Sequence, residues 1–138
     1  MDAGEARALF ASARVARLAT VDAERRPHLV PITFAFDGEE IVTAVDHKPK
    51  TTTRLRRLEN IEANPRVTVL ADHYEDDWSK LWWARADGMA QITEPGASEH
   101  ERAISALAAR YPQYVEERPS DSVIVISVSR WSGWRAAR

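Results

Sequence analysis

The stretch HLVPITFAFDGEEIVTAVD, residues 28–46, indicates two strands joined by a tight hairpin at Asp37-Gly38. In its first half, the even positions share one bulky apolar face: Val30, Ile32, Phe34 and Phe36. The odd positions are smaller: Leu29, Pro31, Thr33 and Ala35. Because side chains alternate between the faces of a strand, one face suits a core and the other lets a flat ligand approach the backbone. Pro31 lacks an N–H, which predicts an edge position or a bulge.

Four further segments have the composition or alternation of strands and bring the predicted total to six: residues 14–21, 66–74, 80–94 and 122–130. The third is long enough to bend, and Gly88 within it predicts a β-bulge. Trp82 and Trp83 are adjacent in that strand, so they point to opposite faces and at most one can lie in the same core.

Short helices are predicted on either side of these strands. Residues 2–5 and 98–101 each match a capping box, in which an acceptor side chain is followed three positions later by glutamate. Apolar residues recur every three positions from Leu55 to Ile61, and Pro65 ends that helix. The predicted fold class is mainly β (α+β): a six-stranded antiparallel β-barrel with short flanking helices.

Length and composition describe an ordinary globular protein. The chain has 138 residues, enough for one domain over 1–138, with a formal net charge of -2 and no cysteine. Disulfides and thiolate metal sites are therefore excluded. We expect a cytoplasmic protein, because the N-terminus lacks the apolar core of a secretory signal and no run approaches the ~20 apolar residues of a membrane span.

One segment, residues 46–66, concentrates positive charge. It holds six of the chain's 19 basic residues: Lys48, Lys50, Arg54, Arg56, Arg57 and Arg66. Lys48 and Lys50 precede a predicted helix that has Thr51 near its N-terminus, where free N–H groups favour an anion. With Arg54 about one turn further in, these residues suggest a phosphate-binding clip. The alternative is a solvated helix face whose cations balance Glu59 and Glu62.

Other chemistries have weaker support. Nucleic acid is a poor candidate for the anion, because the chain is not basic overall and residues 75–77 are acidic. No glycine-rich nucleotide motif, nucleophile elbow or spaced histidine ligand pair is present. Asp46-His47 and Asp72-His73 both follow predicted strands, where they either hold a metal or proton donor or are ordinary strand-end polar residues. We predict no metal site.

Residues 18–70 as a whole resemble a known family. The pattern is a first strand ending A-T-x-x, then x-P-h-x-x-P-h (h, apolar), a D-G hairpin, a K-T-x-x-L helix and N-P-R-V. It resembles the pyridoxamine-5'-phosphate-oxidase-like split β-barrels, and most of all their actinobacterial deazaflavin (coenzyme F420) branch. The segment WARADGMAQIT, residues 83–93, resembles a later strand of that family.

The resemblance implies a homodimer with two flavin-type cofactors in clefts at the subunit interface. The implied cofactor-binding positions are His28, Val30, Pro31, Ile32, Thr33, Thr43, Lys48, Lys50, Thr51, Arg54 and Trp83. Of these, Lys50 and Thr51 match the family's phosphate-binding positions, with Lys48 and Arg54 beside them. Trp83, together with Arg130 and Trp134, is the expected contribution of the second subunit.

Three functions follow from the resemblance: an F420-dependent oxidoreductase, an FMN-binding oxidoreductase of the same fold, or a non-enzymatic barrel that binds a cofactor. In the first two, the cofactor carries the hydride between itself and a small organic substrate, while the protein orients it and excludes water. No catalytic residue is therefore assigned. The chain lacks a close match to the oxidase's substrate-binding C-terminal motif, so pyridoxamine phosphate is not the expected substrate.

Overall fold

The computed structural model describes residues 1–45 and 55–137, and within them one antiparallel sheet contains seven strands. The strands are β1 Ala16–Val21, β2 Pro27–Ile32, β3 Ala35–Asp37, β4 Glu40–Ala44, β5 Arg66–His73, β6 Trp82–Thr93 and β7 Val123–Arg135. The helices are α1 Ala3–Ser12, α2 Arg56–Ala63, α3 Ser98–Arg110 and α4 Gln113–Glu116, with a short 3-10 helix at Trp78–Lys80. A fold that is mainly β with α+β character is confirmed.

The strand order shows that the sheet curls into a split barrel. It runs β2-β1-β5-β6-β7-β4-β3, so β2 and β3 stand at opposite edges although only Thr33 and Phe34 separate them. Laid flat, seven strands would hold those edges roughly 30 Å apart. Three residues of extended chain reach only about 10 Å. The edges must therefore come together at Thr33-Phe34, and the gap beside this joint is the split of the barrel.

The predicted count of six strands is wrong, because residues 28–36 do not form one strand. The chain leaves the sheet after Ile32 and rejoins it at Ala35 on the opposite edge. Phe34 and Ala35 are both buried, so the alternation of faces is interrupted at the joint. Phe34 fills the barrel core, while Ala35 packs in a second cluster against α3. The small side chain at position 35 thus makes room for a helix.

The two longest strands carry the predicted bulge. The register between β6 and β7 shifts between Asp87 and Gly88, which confirms the bulge at Gly88. A Cβ built at Gly88 would lie 2.3 Å from the main-chain oxygen of Ser127, so no larger residue fits this backbone. β7 continues to Arg135, five residues beyond the predicted end at Arg130.

Among the three longer helices that the structure describes, only α1 begins with a side-chain cap. Asp2 caps α1 as predicted, because its Oδ1 accepts a hydrogen bond from the main-chain N–H of Glu5 at 2.8 Å. The second capping box is wrong: α3 begins at Ser98 itself, after Ala97, and no side chain caps it. α2 begins at Arg56, after Leu55, so the predicted helix start near Thr51 is wrong. The helix buries Leu58 and Ile61, as its spacing predicts.

Two apolar clusters hold these elements together. One fills the barrel and includes Phe10 of α1, and the other seats α3 on the outside of β3 and β4. Trp82 packs against the barrel cluster, whereas Trp83 lies beside Arg85 with 5.2 Å between guanidinium carbon and ring centroid. No helix in the described part of the chain is long and apolar enough to cross a membrane.

Candidate functional site

A cavity of about 180 Å³ lies in the split of the barrel. Its walls come from the ends of β2 and β4, from the residue before β1 and from the first turn of α2. The described residues that line it are Val15, Pro31, Ile32, Thr33, Thr43, Ala44 and Arg57. Apart from Arg57 these are small or apolar side chains, so a flat ligand can lie close to the main chain here.

The cavity exists because β3 is shorter than β4. β3 pairs only with residues 40–42, so Thr43 and Ala44 extend past its start. One hydrogen bond ties the two edges there: Thr43 Oγ1 donates to the main-chain oxygen of Thr33 at 2.7 Å. Thr43 is 1% exposed, so this bond is shielded from water and closes one side of the cavity.

Two tyrosines near the end of α3 hold the joint between β2 and β3. The Tyr111 hydroxyl accepts from the Phe34 N–H at 3.2 Å and lies 2.9 Å from the carbonyl oxygens of both Phe34 and Arg14, which share its proton. The Tyr114 hydroxyl is 2.8 Å from Thr33 Oγ1. Both tyrosines therefore fix residues at the edge of the cavity.

Arg110, the last residue of α3, reinforces the same joint. Its guanidinium donates to the Phe34 carbonyl at 3.3 Å, to the Ala11 carbonyl at 3.1 Å and to the Ala13 carbonyl. Burial lowers the pKa of the Arg110 guanidinium from its ordinary value. The partial negative charge at the C-terminal end of α1 offsets that cost, because Ala11 lies in its last turn.

A second and larger cavity adjoins the first. Its volume is about 460 Å³, and its described lining is Val45, Gln113, Tyr114, Glu117, Arg118, Pro119 and Ser120. Tyr114 lines it and also contacts Thr33, and Val45 directly follows Ala44 of the first cavity. Arg118 is held by Glu101, with 2.6 Å between Nη2 and Oε1. The hydrogen-bonded hydroxyls of Thr33 and Tyr114 therefore lie between the two cavities.

The structure brings together four of the predicted cofactor residues. Pro31, Ile32, Thr33 and Thr43 all line the split cavity. Val30 packs against the barrel core, and His28 lies opposite Thr20 four residues from Ile32. Trp83 is at the start of β6, in register with Trp134. The positions Lys48, Lys50, Thr51 and Arg54 lie outside the described residues, as do Asp46 and His47.

Several residues at the site were not predicted from the sequence: Val15, Arg110, Tyr111 and Tyr114. In the sequence, Tyr111 only continues the helical spacing of the apolar residues Ile104 and Leu107. Its hydroxyl bonds residues 77 positions away, and no local pattern signals such a contact. The only hint was two tyrosines around Pro112, where a helix must end.

The histidines in the described part of the chain have local structural partners or lie away from the cavities. His73 contacts the Glu75 carboxylate, and His100 Nε2 is 2.7 Å from the Asp121 carbonyl oxygen. Among the described residues, no three His, Asp or Glu side chains cluster to hold a metal ion. The described lining of the split cavity thus offers main-chain groups, hydroxyls and one guanidinium.

Comparison with solved structures finds the same fold in several bacterial proteins. A conserved hypothetical protein from Mycobacterium tuberculosis is 22% identical, with a TM-score of 0.77 over 98% of this chain and 85% of that one. A heme-binding protein from Mycobacterium smegmatis is 25% identical, with a TM-score of 0.77 over 97% of this chain but only 54% of its own. An FAD-binding protein from Mesorhizobium loti is 20% identical, with a TM-score of 0.73 over 96% and 94%.

The family model described as pyridoxamine 5'-phosphate oxidase matches residues 3–135. The match includes β2, the joint at Thr33-Phe34 and α3, so it spans the parts of the chain that build the split cavity. The resemblance noted in residues 18–70 therefore extends over nearly the whole chain. The chain belongs to the pyridoxamine 5'-phosphate oxidase family.

Proposed function

We propose that this protein is an oxidoreductase that binds a flavin-type cofactor in the split cavity, with the deazaflavin F420 preferred and FMN as the alternative. The observation that carries the proposal is the cavity itself. It joins a wall of small residues to a cation, Arg57, at the first turn of α2. A tricyclic ring and a phosphate need those two features. An FAD-binding protein with the same fold supports this class of cofactor.

The residues of the cavity fit such a cofactor. Pro31 and Ala44 offer a thin wall for a ring, and Thr33 and Thr43 fix the spacing of that wall. Arg57 lies where α2 begins and would meet the phosphate, together with the cations predicted at Lys48, Lys50 and Arg54. When bound, the cofactor supplies the hydride chemistry, and the protein contributes orientation and exclusion of water.

The size of the cavity supports a dimeric site. Pockets that enclose a ligand commonly measure roughly 300–1,000 Å³, and about 180 Å³ is too small for a whole cofactor. We therefore propose a homodimer in which a second subunit completes the cleft. Leu29, Met89 and Trp134 are large apolar side chains exposed in the single chain, and they suit a surface covered by a partner. Trp83 and Arg130 remain candidate contributors to the partner's site.

The second cavity is the proposed position of the reducible substrate. It is separated from the split cavity by the Thr33–Tyr114 hydroxyl pair, so a molecule there would lie near a ring held by Pro31 and Thr33. Its lining includes an amide, a phenol, and the side chains of Glu117 and Arg118. Such a lining suits a small polar organic substrate.

Heme binding is the competing function, because one similar structure is a heme-binding protein. A heme iron needs an axial ligand such as histidine, cysteine, methionine or tyrosine. None of these is among the described residues that line the split cavity. Within the part of the site that the structure describes, the lining therefore suits a flavin-type ring better than a heme.

A side-by-side titration tests the proposal. Purified protein freed of cofactor is mixed with FMN, F420 or hemin, and binding is followed by absorbance and fluorescence. We expect saturable binding of F420 and weaker binding of FMN. Turnover is then sought by following reoxidation of the reduced cofactor with a panel of small organic acceptors. Tight binding of hemin alone would exclude the flavin assignment, and cofactor binding without any turnover would indicate a carrier.

A further inference from the structure

The open edge of β2 presents carbonyl groups and few donors. The register places Pro27 opposite Val21 and Pro31 opposite Arg17. In an antiparallel pair, every second residue exchanges two main-chain hydrogen bonds with the partner strand, and the residues between them point their N–H and C=O groups away from it. Proline has no N–H to donate, so Pro27 and Pro31 are among the residues whose main-chain groups point away from β1. The carbonyl groups of residues 27, 29 and 31 therefore point away from β1, and only Leu29 adds an N–H.

The facing edge of β4 presents a donor and an acceptor. The Val45 N–H donates to the Ser122 carbonyl at 3.1 Å, which continues the register that pairs Ala44 with Val123 and Thr43 with Ile124. By the same alternation, Thr43 directs its main-chain groups toward β7. The N–H and carbonyl of Ala44 then point to the other side of the strand, into the split.

The chemistry of the cavity walls follows from these two edges. Pro31 and Ala44 both line the cavity. Thr43 Oγ1 and the Thr33 carbonyl oxygen, which belong to two other lining residues, are bonded to each other. Of the main-chain groups that the two strand edges direct away from their partners, Pro31 offers an acceptor without a donor, and Ala44 offers a donor with an adjacent acceptor.

We infer that these main-chain groups recognise the imide edge of a pyrimidinedione ring, the sequence C=O, N–H, C=O. The Pro31 carbonyl accepts the ring N–H, and the Ala44 N–H donates to a neighbouring ring carbonyl. This inference rests on the proposed function and deepens it, because flavins and deazaflavins share that edge and heme lacks it. Proline at position 31 has a specific role here: any other residue would place an N–H toward the ring's own N–H.

Ring analogues test the inference on the unmodified protein. FMN and F420 are each titrated beside two derivatives. One is methylated on the imide nitrogen. The other is substituted at C8, on the far side of the ring, as 8-chloro-FMN or the 8-methoxy deazaflavin. The dissociation constants are compared within the ring system that binds more tightly.

We expect imide methylation to weaken binding about tenfold or more, because it removes a hydrogen bond and leaves the Pro31 carbonyl covered by the bound ring without a partner. The C8 derivative should bind within about threefold of its parent. Equal losses for both derivatives, or no loss on imide methylation, would overturn the inference while leaving cofactor binding intact. If neither parent ring binds, the proposed function itself is wrong, and the imide site is wrong with it.

Discussion

Thr43 Oγ1 donates to the main-chain oxygen of Thr33 at 2.7 Å, and this single bond ties β4 to the end of β2 across the split of the barrel. Ladder hydrogen bonds do not perform this task, because β3 has not yet begun at that point in the register. Thr43 therefore helps to set the width of the cavity, together with the contacts of Tyr111, Tyr114 and Arg110 at the neighbouring joint.

Thr43→Val keeps the shape of the side chain and removes the hydroxyl. Because Thr43 is 1% exposed, the Thr33 carbonyl would lose a partner in a buried place. We expect a loss of about 1–3 kcal/mol in the free energy of unfolding. We also expect weaker cofactor binding, since the wall can then open. Urea denaturation measures the first effect and titration the second. Thr93→Val in β6 is the control and should change stability and cofactor affinity only slightly. Equal losses for both variants would contradict a specific role for the Thr43–Thr33 hydrogen bond.

Gly88→Ala tests the bulge between β6 and β7. The new Cβ would lie 2.3 Å from the Ser127 oxygen, so the main chain of one strand has to move. Overpacking of this kind costs about 1–3 kcal/mol in stability. Gly4→Ala is the matched control, because its Cβ would meet only Asp2 Oδ1 at 3.4 Å and alanine favours a helix. Thermal unfolding should show a lower midpoint temperature for Gly88→Ala and no decrease for Gly4→Ala.

The local elements of this fold could be predicted from the sequence, and the contacts that join them could not. Asp37-Gly38 predicted its hairpin and Gly88 its bulge, because turns and bulges are local requirements of the backbone. The break at Thr33-Phe34 was missed, because the apolar alternation continues through it. At the break, the main-chain groups of Phe34 bond the hydroxyl of Tyr111, 77 residues away.

The residues of the site also fall into those that local sequence predicts and those that only the packing of distant elements brings to the cavity. Pro31 and Thr33 were predicted from a small face on one strand, and they do line the cavity. Tyr114 and Arg110 were not predicted, because they reach the joint only when α3 docks on β3 and β4. A predicted phosphate clip at Lys48 and Lys50 still awaits a test.

Two neighbouring arginines provide that test for the described part of the site. Arg57 lines the split cavity, whereas Arg56 is exposed on the outside of α2. We expect Arg57→Ala and Lys50→Ala each to weaken cofactor binding by about 10- to 150-fold, the range for a hydrogen bond to a charged group. Arg56→Ala should cost little. Fluorescence titration measures the cofactor dissociation constant of each variant. Equal increases for the variants at positions 50, 56 and 57 would indicate a diffuse positive field and no specific phosphate site.

The protein should be a stable homodimer in solution. The split cavity, at about 180 Å³, is smaller than the roughly 300–1,000 Å³ of pockets that enclose a ligand, and Leu29 is 67% exposed and Trp134 43% exposed in the single chain. Stable homodimer interfaces commonly bury more than about 2,000 Å² and survive dilution to micromolar concentration. Multi-angle light scattering should give about twice the 15.6 kDa of one chain. A mass of one chain at that concentration would remove the basis for an interfacial cleft.

Leu29→Lys should weaken the dimer, and Val115→Lys, an equally exposed site on α4, should leave it unchanged.

The preference for F420 over FMN should depend on salt. FMN ends at a phosphate, which the cations at the start of α2 can satisfy alone. F420 continues past its phosphate into a tail of carboxylates, and these need further positive charge along the surface. The candidates are Lys48, Arg54 and the exposed Arg25, whereas Arg26 already pairs with Asp22 and Glu24.

Each exposed ion pair contributes roughly 0–1 kcal/mol and is screened by salt, so tail recognition is a modest addition to the ring and phosphate contacts. Raising the ionic strength from about 0.05 M to 0.5 M should therefore narrow the F420-to-FMN affinity ratio severalfold without abolishing F420 binding. Titrations of both cofactors at the two salt concentrations measure that ratio. Protein that purifies yellow with FMN, from a host without F420, and does not exchange it for added F420 would show that the deazaflavin preference is wrong.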